Sequence, residues 1–125
     1  MLTPFTVFTP GNIRFGRGLA RSAAPWLAQR TAKVLLVHGA SAQRAGFLLT
    51  ELRAHHLEAM TLSVAHEPTL EDIEQGVRLA RENGIGAVVS LGGGAVIDAG
   101  KAIAALVPAS GPVMEYLELV GNGRV

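Results

Sequence analysis

The chain has no cysteine, which excludes a disulfide framework, a thiolate metal site and a cysteine nucleophile. That absence suits the cytoplasm. An excess of one charge is missing as well: 11 Lys and Arg stand against 10 Asp and Glu, for a net charge of +1 with His neutral, and no block of like charge occurs. Nucleic acid and an anionic membrane surface are therefore poor partners. Long apolar runs are also lacking. The longest lies between Ala102 and Pro108, far short of the ~20 residues that span a bilayer. The start, Met1-Leu2-Thr3-Pro4-Phe5, has neither the basic residues nor the apolar block of a signal peptide. These absences lead us to expect a soluble, cytoplasmic protein with no nucleic-acid or membrane partner.

What is present is enough apolar material for a core. Of the 125 residues, 49% are hydrophobic and 17% charged, and the length fits one domain spanning residues 1–125. No internal repeat or low-complexity tract breaks it.

The pattern along the chain alternates between strand and helix. Phe5-Thr6-Val7-Phe8-Thr9 and Ile13-Arg14-Phe15, joined by Pro10-Gly11-Asn12, read as a small initial hairpin. Leu19 to Gln29 is helix-like, with Pro25 expected to shorten or kink it. Val34-Leu35-Leu36-Val37 is a continuous apolar run that suits a strand covered on both faces. Ser41 is placed to cap the next helix, in which Ala45, Leu48, Leu49 and Leu52 draw one stripe. Met60, Leu62 and Val64 alternate as a third strand. Thr69 then caps a helix with acids at its start, arginines toward its end and a face of Leu70, Ile73, Val77 and Ala80. Asn83-Gly84 stops it. Ala87 to Leu91 reads as a further buried strand. A helix from about Ala95 to Val107 follows, ended by Pro108, and residues 112–119 have room for a last turn or two. Strands alternating with helices over short links predict an α/β fold with a doubly wound, mostly parallel sheet.

The segment richest in chemistry runs from Leu91 through Gly92-Gly93-Gly94 into the next helix. Glycines let a ligand approach the backbone closely. The first helical amides have no intrahelical partners and sit at the positive end of the dipole. Together they suit a phosphate or pyrophosphate at the carboxyl edge of the sheet; a plain tight turn is the alternative. Asp98 and Lys101 share a face of the otherwise apolar helix, either as an ion pair or beside a bound cofactor.

Two familiar phosphate motifs do not fit. A Walker A loop would need Gly at Ala95 and Ser or Thr at Ala102. The G-x-G-x-x-G fingerprint breaks at Ile97, and again at Arg21 after Gly16 and Gly18. The histidines make no metal site either: adjacent His55 and His56 would point about 100° apart on a helix, and His38 and His66 follow different strands. No Ser-His-Asp spacing stands out. We expect no metal ligand and no catalytic residue here.

Gly92-Gly93-Gly94-Ala95-Val96-Ile97-Asp98-Ala99-Gly100-Lys101-Ala102 resembles the G-G-G-S-x-x-D-x-x-K-A signature of the iron-containing alcohol dehydrogenases. That superfamily includes maleylacetate reductases, glycerol dehydrogenases and, more distantly, dehydroquinate synthases. Phe15-Gly16-Arg17-Gly18 resembles the family's F-G-x-G, and Glu67-Pro68-Thr69 its N-P-T. The resemblance implies a Rossmann-like amino-terminal domain, as in dehydroquinate synthase, that binds NAD or NADP. Gly93, Gly94, Ala95 and Val96 would then meet the pyrophosphate, with Gly92 also in the cofactor-binding loop and Asp98 and Lys101 on the helix that follows. Ala95 replaces the usual serine, so one hydroxyl contact is lost while the amides remain.

Val37-His38-Gly39-Ala40-Ser41 matches the family's V-T-D segment. Gly39 stands where many members carry an aspartate, a residue that binds the ribose 2′-hydroxyl of NAD and repels the 2′-phosphate of NADP. With Gly39 and Ser41 in its place we expect NADP to be tolerated or preferred; a helix-capping loop is the alternative. The family enzymes are longer, with a helical carboxyl-terminal domain that supplies one aspartate and three histidines to iron or zinc. Neither that domain nor the family's T-A-G-T-G-S-E stretch is in this chain. The expectation is the cofactor half of a metal-assisted alcohol dehydrogenase, inactive alone. The rival expectation is a non-catalytic nucleotide-binding or dimerisation module from a truncated gene, with open sheet edges favouring a homodimer.

Overall fold

The computed structural model describes residues 19–108. The segments read as an initial hairpin, the F-G-x-G stretch and residues 112–119 lie outside that range. A 3₁₀ turn at Leu19–Ser22 leads into α1 (Ala23–Ala28). The α-helix thus begins later than its apolar pattern predicts. Pro25 sits in its first turn, where no intrahelical amide bond is lost. Then follow β1 (Lys33–His38), α2 (Ala42–Ala54), β2 (Glu58–Ser63), α3 (Leu70–Glu82), β3 (Ala87–Leu91) and α4 (Gly94–Leu106).

The three strands form a parallel sheet in the order β2-β1-β3. Leu35 pairs with Met60 on one side and with Val88 on the other. The unbroken apolar run of β1 is explained by this central place. Its side chains alternate between two cores. Leu35 and Val37 face a layer with Val77, Ala80, Val96 and Ile103 from α3 and α4. Val34 and Leu36 face Ala24, Leu27, Ala45, Leu48 and Leu52 from α1 and α2. Helices therefore cover both faces, and the sheet is doubly wound, as the alternating pattern predicts. Leu35, Leu36 and Leu52 are fully buried, and truncating any of them to alanine costs about 2–5 kcal/mol.

One expectation needs correction. The β3 strand, read as buried, is half-exposed along its whole length. Among the described residues it pairs with β1 alone.

Local signals fix the helix ends. The Thr69 side chain accepts from the Asp72 amide at 3.1 Å, and the Asp72 carboxylate accepts from the Thr69 amide at 2.9 Å. This reciprocal pair satisfies two donors at the start of α3. Gly84 has a φ of +63° just past its end, a conformation that suits glycine. Arg81 then donates from Nε to the Val107 carbonyl at 3.0 Å and from a terminal nitrogen to the Leu106 carbonyl at 2.8 Å. It satisfies orphan carbonyls of α4 and ties α3 to it.

Candidate functional site

The crevice lies where the winding reverses. From the end of β1 the chain leaves toward α2 on one face of the sheet; from the end of the neighbouring β3 it leaves toward α4 on the other. The two loops diverge and leave a gap at the carboxyl ends of the strands, the usual ligand position in such sheets.

On the β3 side the glycines divide the work. A Cβ on Gly92 would stand 2.8 Å from Val96 Cγ2, so the loop passes over the first turn of α4 too closely for any side chain. Gly93 and Gly94 have nothing within 4 Å of a built Cβ and open to solvent. The first α4 ladder bond runs from the Ile97 amide to the Gly93 carbonyl at 3.1 Å. The amides of Gly94, Ala95 and Val96 precede that ladder, and Gly93 supplies no side-chain cap. Farther along, a Cβ on Gly100 would overlap Ser90 Oγ and stand 3.2 Å from Ser90 Cβ. Glycine there seats α4 directly on β3.

On the β1 side the backbone is pinned. The Gly39 carbonyl accepts from Ser63 Oγ at 3.1 Å and lies 2.8 Å from His38 Nδ1, a contact that requires the proton on Nδ1. The Val64 amide donates to the His38 carbonyl at 2.8 Å. Ser41 occupies the N-cap position of α2 as its residue type predicts, but its side chain makes no capping bond. Its hydroxyl and the first amides of α2 are thus left for other acceptors.

Between these loops lies a cavity of about 590 Å³, with His38, Gly39, Ser41, Arg44, Phe47 and Gly93 among its lining. Among the described residues of that lining Arg44 is the one charged residue type, and none carries a carboxylate. Two helix N-termini and a guanidinium, with no acid among the described lining residues, make a region of positive potential suited to an anion. A smaller hollow of about 270 Å³ at the other end of β3 includes Ile85, Val88, Ala104 and Val107, with no polar side chain among its described lining residues.

Of the residues picked out by sequence, Gly39, Ser41, Gly92 and Gly93 meet around the larger cavity. Gly94 and Ala95 follow them at the start of α4. Val96 is 4% exposed, and its side chain belongs to the core. Only its amide could reach a ligand. Asp98 and Lys101 are both exposed and outside the lining. The ion pair considered for them is not formed, since the ion pair among the described residues joins Lys33 to Glu58. Sequence reasoning missed Arg44 and Phe47. The available signal was position: both fall within two turns of the Ser41 cap, beside the buried Ala45–Leu48 stripe.

The fold agrees with the comparisons. The family model for iron-containing alcohol dehydrogenase matches residues 10–125. The chain belongs to that family. It is 32% identical over 109 residues to NADH-dependent butanol dehydrogenase B of Clostridium acetobutylicum, covering 83% of this chain and 28% of that protein. It is also 32% identical over 114 residues to probable NADH-dependent butanol dehydrogenase 2 of Bacillus subtilis, covering 86% and 29%. Among solved structures, NADH-dependent butanol dehydrogenase A of Thermotoga maritima superposes with a TM-score of 0.74 at 26% identity, over 90% of this chain and 30% of that one. An archaeal halo-thermophilic Red Sea brine pool alcohol dehydrogenase gives 0.75 at 28% identity, over 90% and 29%. The chain therefore spans less than a third of the length of these relatives.

The family's two non-protein groups fare differently. No three His, Cys, Asp or Glu side chains come together among the described residues, so iron has no fitting donor set there. The crevice offers a volume in the range of a cofactor cleft and, at Gly93, a glycine with open space beside it, features compatible with a dinucleotide. No helix among the described residues is long and apolar enough to cross a membrane.

Proposed function

We propose that this chain is the cofactor-binding part of an NAD(P)-dependent, iron-containing alcohol dehydrogenase. The observation that carries the reading is the crevice between β1 and β3, without an acid among its described lining residues, at which α2 and α4 both begin. In this reading the amides of Gly94, Ala95 and Val96 hold the pyrophosphate, and Gly92 and Gly93 let it approach. Gly39 and Ser41 border the adenine ribose, where the missing carboxylate admits NADP as well as NAD. Asp98 and Lys101, on the exposed part of α4, stay outside the direct contacts.

The nicotinamide supplies hydride chemistry when bound. These residues bind and orient it. The metal, iron or zinc, belongs to the carboxyl-terminal domain implied by the family resemblance. Binding without turnover is thus the expectation for this chain alone, in the cytoplasm.

The test is a calorimetric titration of the chain with NADP and NAD, repeated on Gly94→Asp. Space at Gly94 is open and an acid in the first helical turn is favourable, so the variant should fold. A carboxylate about 5 Å from a phosphate charge is repelled by roughly 1–3 kcal/mol at effective dielectrics of about 80 to 20, a loss of about five- to a hundredfold in affinity. Unchanged binding by Gly94→Asp would remove the loop from the site.

A further inference from the structure

We infer that His38 is a proton-dependent contact for the molecule in the crevice: its Nε2 accepts a hydrogen bond from an O–H or N–H of that ligand, so binding requires the neutral ring. This rests on the reading of the crevice as a dinucleotide site. His38 is the last residue of β1 and the one buried polar side chain among the described residues, 8% exposed. Its Nδ1 lies 2.8 Å from the Gly39 carbonyl, which can only accept. The proton of a neutral ring therefore sits on Nδ1, and Nε2 keeps a lone pair. Nε2 has no hydrogen-bond partner among the described residues. Yet no buried side-chain nitrogen or oxygen among them lacks a partner, so Nε2 is not sealed inside the fold. It reaches the surface, and the surface that His38 lines is the crevice.

An acceptor on a side chain this buried, with its other nitrogen spent on the backbone, calls for a donor from outside. The Arg44 guanidinium in the same lining has donors only. Phosphates are served by such donors, whereas the sugar and base of a dinucleotide bring O–H and N–H groups that need an acceptor. Protonation turns Nε2 into a donor and removes the contact. Affinity is then complete above the range in which an imidazole titrates and fades as pH falls through it. The groups around the ring keep their charge there: Arg44 from α2 stays cationic, and the residues paired with His38 on β2 and β3 are the uncharged Ser63 and Leu91. The family's V-T-D segment has threonine at this position, so the proton linkage is particular to this chain.

The experiment titrates the 125-residue chain with NAD by calorimetry between about pH 8 and about pH 5, in buffers of different ionisation heat, with circular dichroism to check the fold. Wild type should bind about fivefold or more weakly at the acid end and release protons on binding in mid-range. His38→Gln, which can present an amide oxygen where Nε2 lies, should bind within about threefold of wild type at the alkaline end, with neither pH dependence nor proton release. His38→Asn, which reaches only as far as the Gly39 carbonyl, should lose about two- to tenfold there. Nitrogen NMR of the wild-type His38 ring reads the claim without a substitution: its titration midpoint should fall on saturation with NAD. The hypoxanthine analogue of NAD, with a keto oxygen in place of the adenine amino group, separates the two donors: linkage lost assigns the amino group, linkage kept assigns a hydroxyl. An affinity that is flat with pH or rises in acid, an unmoved midpoint, or equal losses in the two variants overturns the assignment and leaves the dinucleotide site standing. If the folded chain binds no NAD at any pH, both readings fall.

Discussion

Gly46 and Gly76 offer the same substitution in two settings. Each lies inside a helix of 13 residues, α2 and α3 respectively. Replacing an interior helical glycine by alanine contributes about 0.8–1.0 kcal/mol of intrinsic stability. At Gly46 an added Cβ meets nothing within 4 Å, so the full gain should appear. At Gly76 the Cβ would stand 2.8 Å from Ile103 Cγ1 and 3.1 Å from Leu62 Cδ2, and would overlap Ile103 Cδ1. Ile103 is fully buried in the core between α3, α4 and the sheet, so its side chain must shift within packed surroundings. Overpacking of this kind costs about 1–3 kcal/mol. The intrinsic gain is common to both variants, so their difference in stability should equal that cost. Urea unfolding of the two alanine variants beside wild type measures it; with a slope of about 1–3 kcal/mol per molar, the midpoints should separate by about 1 M. Ile103→Val removes the overlapping Cδ1 and should reduce the Gly76→Ala penalty in a double-mutant cycle. Equal stabilisation by both alanines would refute the seating of α3 on α4, and with it the placement of α4 at the crevice.

The remaining predictions concern a cap and a cofactor switch. Thr69→Ala should destabilise the chain by about 1 kcal/mol through loss of the side-chain cap, read as a lower urea midpoint near neutral pH. The Thr69 amide, opposed by partial burial and helped by the Thr69 hydroxyl and the His66 charge, holds the Asp72 carboxyl below its ordinary range. A lowered folded-state pKa means that Asp72 contributes fully above its unfolded value, and that the contribution fades as pH falls through the folded one. The stability gap between wild type and Asp72→Asn should therefore be present at neutral pH and close in strong acid; a gap independent of pH would contradict the cap. Gly39→Asp should shift preference toward NAD by weakening NADP about tenfold, with little loss of stability, because the built Cβ has only van der Waals contact. Competition titrations with both cofactors check it, and an unchanged ratio counts against the ribose assignment.

How far the sequence was readable depended on the range of the cause. Features set by neighbours along the chain were legible. The run Val34–Val37 announced a strand covered on both faces, and it became the central strand of the sheet. Thr69 announced a cap, which forms with Asp72. The stripe Ala45, Leu48 and Leu52 announced the buried side of α2. Features set by distant partners were not legible. The β3 strand is as apolar as β1, and only the strand order shows that, among the described residues, it pairs with β1 alone. Ser41 has a capping residue type, yet its side chain makes no capping bond. Arg44 looks like an ordinary solvated helix residue until the end of β3 is brought beside it. Within the site, the glycines were readable because backbone approach needs them. Asp98 and Lys101 attracted attention as charges on an apolar helix, but they lie on its exposed side, where charge needs no partner.

The central claim is that a dinucleotide lies across the carboxyl ends of β1 and β3 with its pyrophosphate at the start of α4. A titration of the isotopically labelled chain with NADP, followed by amide NMR, tests it residue by residue. The account predicts that the largest shifts fall on the amides of Gly92 to Val96, with a second group at Gly39 to Arg44, while the hollow at Ile85 and Val107 stays silent. Shifts confined elsewhere, or none from a folded chain at millimolar NADP and NAD, would contradict it.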